Sequence, residues 1–182
     1  MDRQARWPSE GLAALAQTGL LGLTVPATLG GAAQGPRTFA TVLSTLAEQC
    51  ASTGMIYLMH ICGTQVIAGA PSFGQRDDVL KAIAAGKHLS TLAFSEKGSR
   101  SHFWAPVSQA RAAGDGCKVS ADKSWVTSAG HADSYVVSTL AAGATGPTAS
   151  TLYFVPKGAP GFTVAGQWAG LGLRGNASTP MK

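Results

Sequence analysis

Leu92-Ala93-Phe94-Ser95-Glu96-Lys97-Gly98-Ser99-Arg100-Ser101 starts as a strand and breaks into a Gly/Ser loop carrying several hydroxyls and one guanidinium. Its counterpart, Trp125-Val126-Thr127, sets an indole and a hydroxyl at the end of a second strand. The two segments are expected to form two walls of one flat pocket. A planar heteroaromatic cofactor with a polar edge and a phosphate tail needs such walls: an apolar ring to stack on, donors for its carbonyls and N5, and loop N–H groups for phosphate. Flavin fits that description best.

Outward from this stretch the chain has two grammars. From residue 88 onward, short strand-like runs over 89–95, 107–113, 117–127, 134–140, 150–155 and 162–164 alternate with turn signals. Asp115-Gly116 reads as a two-residue hairpin, and 143–147 and 157–161 as loops. Upstream, four helices are predicted. Ser9 is expected to cap the first, which carries Leu12, Leu15 and Ala16 on one face; Pro36 suits the first turn of the second, which carries Phe39, Val42, Leu43 and Leu46. Residues 52–70 are apolar nearly all round, as in a helix buried among others, and 75–85 close the series with Gly86 as the stop. Helices first and strands afterwards predict an α+β chain: an N-terminal α-helical domain over 1–86, then an antiparallel β barrel or sandwich over 87–182.

With 182 residues, 45% hydrophobic and 13% charged, the chain can bury a sizeable core. Its net charge of +5 comes from scattered residues without a Lys/Arg cluster or aromatic interleaving, which argues against nucleic acid and suits an anionic ligand. Cys50, Cys62 and Cys117 lack CxxC spacing and read as small buried hydrophobes in a reducing compartment. The N-terminus lacks the apolar core of a secretory signal, and the apolar run 55–70 is too short for a bilayer, so no membrane partner and a cytoplasmic location are expected. His60, His88, His102 and His131 have no metal-ligand spacing. Gly170-Leu171-Gly172-Leu173-Arg174-Gly175 matches a dinucleotide fingerprint in letters only: no acidic residue follows, and Pro180 interrupts the helix that should.

Three pieces in order carry a family resemblance: Ala93-Phe94-Ser95-Glu96-x-Gly98-x-x-Ser101, then Lys123-Ser124-Trp125-Val126-Thr127-Ser128-Ala129 with Ala132-Asp133-Ser134-Tyr135-Val136-Val137, then 170–175. With Val25-Pro26-Ala27-Thr28-Leu29-Gly30-Gly31 upstream, the chain resembles the acyl-CoA dehydrogenase family. The resemblance implies α,β-oxidation of an acyl-CoA thioester with hydride transfer to N5 of FAD. It implies a separate electron-transfer acceptor protein, and a homo-oligomer or a complementing subunit. It places Leu92, Phe94, Ser95, Gly98, Ser101, Trp125, Val126 and Thr127 at the cofactor, with Thr127 donating near N5 and Trp125 flanking the ring. Ser101 and Arg100 would lie along the substrate path, and 170–175 becomes a turn of the β domain.

The resemblance covers about the first half of a complete member, so the C-terminal helical bundle is expected to be absent. Family members draw the catalytic base from that bundle. None of the acidic residues, Asp2, Glu10, Glu48, Asp77, Asp78, Glu96, Asp115, Asp122 and Asp133, matches it, so no catalytic residue is assigned and Glu96 is read as structural. Lys97, Arg100 and His102 stand where the family commonly has Pro, Gly and Asp, which bears on substrate class. Two alternatives stay open: a flavin-dependent monooxygenase on the same scaffold, and a non-catalytic partner subunit or remnant.

Overall fold

The computed structural model describes residues 2–182 except Ser72, Ser101, Asp115 and Pro147. Over these residues α1 (Ser9–Gln17), α2 (Pro36–Gln49), α3 (Ala51–Gly69) and α4 (Arg76–Ala84) precede every strand. Pro36 opens α2 as its sequence position demands, since the amide it lacks would have no partner there. Ser9 does not cap α1: Pro8 holds that position, and the Ser9 hydroxyl donates to Glu10 Oε2 at 3.2 Å. α3 is the central helix. It buries Ile56, Tyr57, His60, Ile61, Thr64 and Ile67 around its circumference and packs against α2 and α4.

Gly86, with φ of +70°, lets the chain leave α4 through two C-terminal bonds, Gly86 N–H to Ile83 O at 2.9 Å and Lys87 N–H to Ala82 O at 2.9 Å. A Cβ at Gly86 would also lie 2.8 Å from Ala16 O on α1. Gly86→Ala is therefore expected to lose roughly 2–4 kcal/mol, combining a left-handed backbone with overpacking. Gly19→Ala is the control: φ is +73° but nothing stands within 4 Å, so only about 1 kcal/mol is expected. Urea midpoints at constant slope measure the difference.

The strands are β1 (Ser90–Ala93), β2 (Arg111–Ala113), β3 (Gly116–Lys118), β4 (Lys123–Val126), β5 (Ser134–Leu140), β6 (Ser150–Pro156) and β7 (Thr179–Met181). They form one sheet ordered β1-β5-β6 and two pairs, β2-β3 and β4-β7, with no closed barrel among the described residues. β5 is central, and its side chains alternate between two cores. Tyr135 and Val137 pack with Ala93, Val126, Ala129 and Met181, whereas Val136 packs with Val25, Ile67, Leu80 and Ile83 from the helical side. A strand buried on both faces reads as a nearly continuous apolar run, and Tyr135-Val136-Val137 does.

The strand pairs are antiparallel as expected except one, since β1 and β5 pair in parallel. Both start from the helical end, where Asp133 N–H donates to Leu89 O at 2.8 Å and Leu89 N–H to Asp133 Oδ2 at 2.8 Å. The chain makes a long excursion through β2, β3 and β4 before β5, and such a crossover is what permits a parallel pair. The run expected over 117–127 is two strands, since β3 pairs with β2 and β4 with β7. Residues 162–164 make only an isolated bridge, Val164 to Met181. Cys117 is exposed, contrary to its reading as a buried hydrophobe. No helix over the described residues is long and apolar enough to cross a membrane.

Candidate functional site

The two quoted segments lie side by side. Glu96 bridges antiparallel to Lys123, Ser124 N–H donates to Ser95 O at 2.9 Å, Lys97 N–H to Asp122 O at 3.2 Å, and the Thr91 hydroxyl to Thr127 O at 2.9 Å. Ser95 and Thr127 are thus on neighbouring backbones but at different levels: Ser95 is opposite Ser124, and Thr127 is opposite Thr91.

Trp125 is the unusual member. Lys123 and Val126 on either side of it are buried, at 2% and 1% exposure, yet Trp125 is 59% exposed. The register of β4 against β7 shifts between Lys123 and Val126, and Trp125 takes a φ of +56°. A left-handed residue inside a strand pair is strained by roughly 1–3 kcal/mol, and here it turns the indole outward while Val126 stays in the core. The Trp125 ring meets Trp168 edge-on at 5.4 Å, and Trp168 Nε1–H is anchored to Leu173 O at 2.8 Å. Gly170 is required beneath it, since a Cβ there would stand 2.3 Å from the Trp168 ring. Trp125, Gln167, Trp168, Ala169, Gly170 and Leu171 line a cleft of about 530 Å³. A second, of about 260 Å³, shares Gln167 and Trp168 and continues to His131, which stacks on Trp7 at 4.0 Å.

Thr127 follows the bulge, between Trp125 on the first cleft and Ala129 on the second. It is 4% exposed, and its hydroxyl shares a 3.1 Å hydrogen bond with the Ser178 hydroxyl. The loop carrying Ser178 is zipped to the strand end: Ser128 N–H donates to Asn176 O at 2.9 Å, Ala129 N–H to Ala177 O at 3.1 Å, and Ser178 N–H to Asn176 Oδ1 at 3.1 Å. Among the described residues, Ser128 Oγ, buried beside these groups, has no hydrogen-bond partner.

The other candidates divide. The side chains of Leu92 and Phe94 face the helical core beside Val136, and Val126 is in the core beside Ala93 and Tyr135, so these three can offer a ligand only their backbone. Phe94 O accepts from Lys123 Nζ at 3.1 Å. Gly98 has φ of +94° with nothing near a Cβ, so its requirement is conformational. Arg100 is exposed with φ of +51°, pointing to a turn that the more usual Gly would make without strain. Ser101 lies outside the described residues.

Glu96 is wholly engaged. Its carboxylate meets Lys123 Nζ at 2.6 Å and accepts from Val107 N–H at 2.9 Å, Ser108 N–H at 2.7 Å and the Ser108 hydroxyl. Burial pushes this carboxyl up, but the Lys123 ammonium and the Ser108 donors outweigh it and hold the group below the usual range. It clasps the base of loop 97–107. Trp168, Asn176 and Ser178 carried no sequence signal as site residues, because they flank a glycine-rich segment read only as a turn, and Ser128, although inside the 123–129 motif, was given no role.

Two family models match: "Acyl-CoA dehydrogenase, N-terminal domain" over residues 1–87 and "Acyl-CoA dehydrogenase, middle domain" over 91–182. The human mitochondrial short-chain specific acyl-CoA dehydrogenase is 28% identical over 181 residues, which cover 98% of this chain and 43% of that protein. Among solved structures, butyryl-CoA dehydrogenase from Megasphaera elsdenii superposes with a TM-score of 0.88 at 18% identity, covering 99% of this chain and 48% of that one. KijD3, solved with FMN and a dTDP-linked amino sugar, superposes with a TM-score of 0.78 at 26% identity, covering 99% of this chain and 45% of that one. The chain spans about half the length of the proteins it matches.

Proposed function

The chain belongs to the acyl-CoA dehydrogenase family, and from that membership we propose that it is the flavin-holding part of an FAD-dependent acyl-CoA dehydrogenase. The observation that carries this reading is the strained bulge that turns Trp125 out of its strand to wall a cleft. A cleft of about 530 Å³ with two indoles on its wall suits a planar heteroaromatic. When bound, FAD supplies the two-electron oxidation of the substrate.

The chain's own residues hold and orient. Trp125 flanks the ring system, the Thr127 hydroxyl meets its polar rim, the backbone of residues 92–95 borders the pyrimidine end, and loop 98–100 offers amides to phosphate. Arg100, exposed on that loop, attracts the anionic end of an acyl-CoA. The base comes from outside this chain: Glu96, the carboxylate nearest the motif, is tied to four donors and has no free role in proton removal. An electron acceptor protein and a homo-oligomer or second polypeptide complete the assembly in this reading.

Titration with FAD should quench tryptophan fluorescence, since an exposed indole lines the cleft. Trp125→Ala should weaken binding by about tenfold, the loss of one stacked ring. No flavin uptake by the wild-type chain would sink the proposal. A second reading, a flavin-dependent monooxygenase, is favoured by the likeness to KijD3, whose bound sugar nucleotide is not a thioester. Anaerobic bleaching of the flavin by an acyl-CoA supports the dehydrogenase; turnover that requires oxygen supports the alternative.

A further inference from the structure

The second cleft takes no part in the flavin reading. Three rings, Trp7, His131 and Trp168, line it together with the Arg174 guanidinium and the Gln167 carboxamide. We propose that it is a nucleotide site, with a base laid against the rings, its polar edge read by Gln167 and its phosphate held by Arg174. The site is independent of what the first cleft holds.

The rings are set for stacking. His131 is exposed, and the Trp7 indole lies 4.0 Å from it with 7° between the planes, so one face of the imidazole is covered while the rest borders the cleft. Partial burial, and after it the Lys157 ammonium, hold the His131 pKa below its ordinary 6.5. At pH 7 the ring is therefore neutral. Trp168 is a further fixed ring, tied through Nε1–H to Leu173 O at 2.8 Å. Most of the remaining wall is alanine and glycine, which a flat heterocycle meets without steric conflict.

That wall is held in a costly shape. Ala5 and Ala177, both on it, take φ of +48° and +51°, where glycine is at ease and alanine is strained. Gly175 is pressed against the N-terminal segment: a Cβ there would stand 2.5 Å from Arg6 O, and its N–H donates to Ser52 Oγ at 3.2 Å. Backbone strain that tight surroundings keep in place gathers at ligand sites, and two such alanines border this one cleft.

The polar groups select the ligand. Among the described residues that line the cleft none is acidic, and Arg174 makes it positive. Arg174 is engaged within the fold, yet a guanidinium carries five N–H donors in a planar fork, enough to hold a phosphate beside a protein partner. Gln167 offers a donor and an acceptor side by side, the pattern that matches the N6/N7 edge of adenine. A volume of about 260 Å³ is just under the ~300 Å³ at which pockets for whole drug-sized ligands begin, which suits one base and one phosphate.

Equilibrium dialysis of the full chain with AMP, adenosine and inorganic phosphate tests the site. The wild type should hold AMP about tenfold more tightly than adenosine, the difference being the charge-assisted phosphate contact. Arg174→Gln should lose that tenfold and leave adenosine unchanged, whereas His131→Ala should weaken AMP and adenosine alike by about three- to tenfold. Trp125→Ala, which alters the first cleft alone, should leave AMP binding as it is. No AMP binding by the wild type, equal affinity for AMP and adenosine, competition by inorganic phosphate as strong as by AMP, or loss of AMP binding in Trp125→Ala each overturns the proposal. Should Arg174→Gln not fold, His131→Ala decides, since its ring is exposed: parallel weakening supports the site and unchanged AMP affinity overturns it. Displacement of AMP by coenzyme A, or by FAD and not by FMN, assigns the nucleotide to the end of that larger ligand, and resistance to all three assigns a free nucleotide.

Discussion

Glu96→Ala is expected to destabilise the chain by about 3–5 kcal/mol, enough to unfold a marginal domain, because it strands a buried ammonium. Lys123 is 2% exposed and is held by the Glu96 carboxylate at 2.6 Å, by Phe94 O at 3.1 Å, by Ser138 O and by Ser138 Oγ at 3.3 Å. Removing the carboxylate leaves the positive charge among carbonyl dipoles and also frees the Val107 and Ser108 amides at the root of loop 97–107. Lys123→Met should cost less, since the remaining carboxylate keeps three donors from Val107 and Ser108. Urea unfolding of the two variants gives the order. Equal losses would show that the loop clasp contributes nothing beyond the ion pair. Because the Glu96 carboxyl is held below its ordinary range, its contribution is present above the unfolded carboxylate pKa and fades as pH falls through the lowered folded one.

A comparable effect is expected from pH alone, through His60. This ring is fully buried on α3; Ser90 N–H donates to Nδ1 at 3.1 Å, so Nε2 bears the proton and donates to Leu21 O at 2.9 Å. One neutral imidazole thus ties the central helix to β1 and to the turn Leu20–Gly22. Burial lowers its pKa from the ordinary 6.5 to about 4. Above pH 6.5 both states are neutral and nothing is lost. Between 6.5 and 4 the unfolded chain takes up a proton that the folded chain refuses, so stability falls with falling pH, by about 3 kcal/mol in all. Burial lowers His88 and His131 as well, adding loss of the same sign. The check is the urea midpoint at pH 7 and pH 4.5 for the wild type and for His60→Gln, whose amide offers one donor and one acceptor without titrating. The variant should show a flatter profile; parallel profiles would exclude His60 as the source.

Much of this was legible from residue order because the signals are local. The periodicity of Phe39, Val42, Leu43 and Leu46 requires an amphipathic helix, the all-round apolarity of 52–70 requires a central one, and Gly86 after Ile83 requires a stop. Likewise, strand signals in Leu92-Ala93-Phe94 and Trp125-Val126-Thr127 marked two segments that do lie together. The outward flip of Trp125 was not legible, because φ at one residue inside a strand is decided by which strand it pairs with, and β7 lies far along the chain.

The sequence by itself determined the order of helices and strands, the apolar faces that must be covered, and the family, since these depend on neighbours a few residues apart and on motifs read in line. Only the tertiary structure decided that β1 runs parallel to β5, that Glu96 is spent on Lys123, and that Ser178 meets Thr127. Each of those depends on groups brought together across long stretches of chain, where partner choice is made by packing and by satisfying buried polar atoms, and not by local preference.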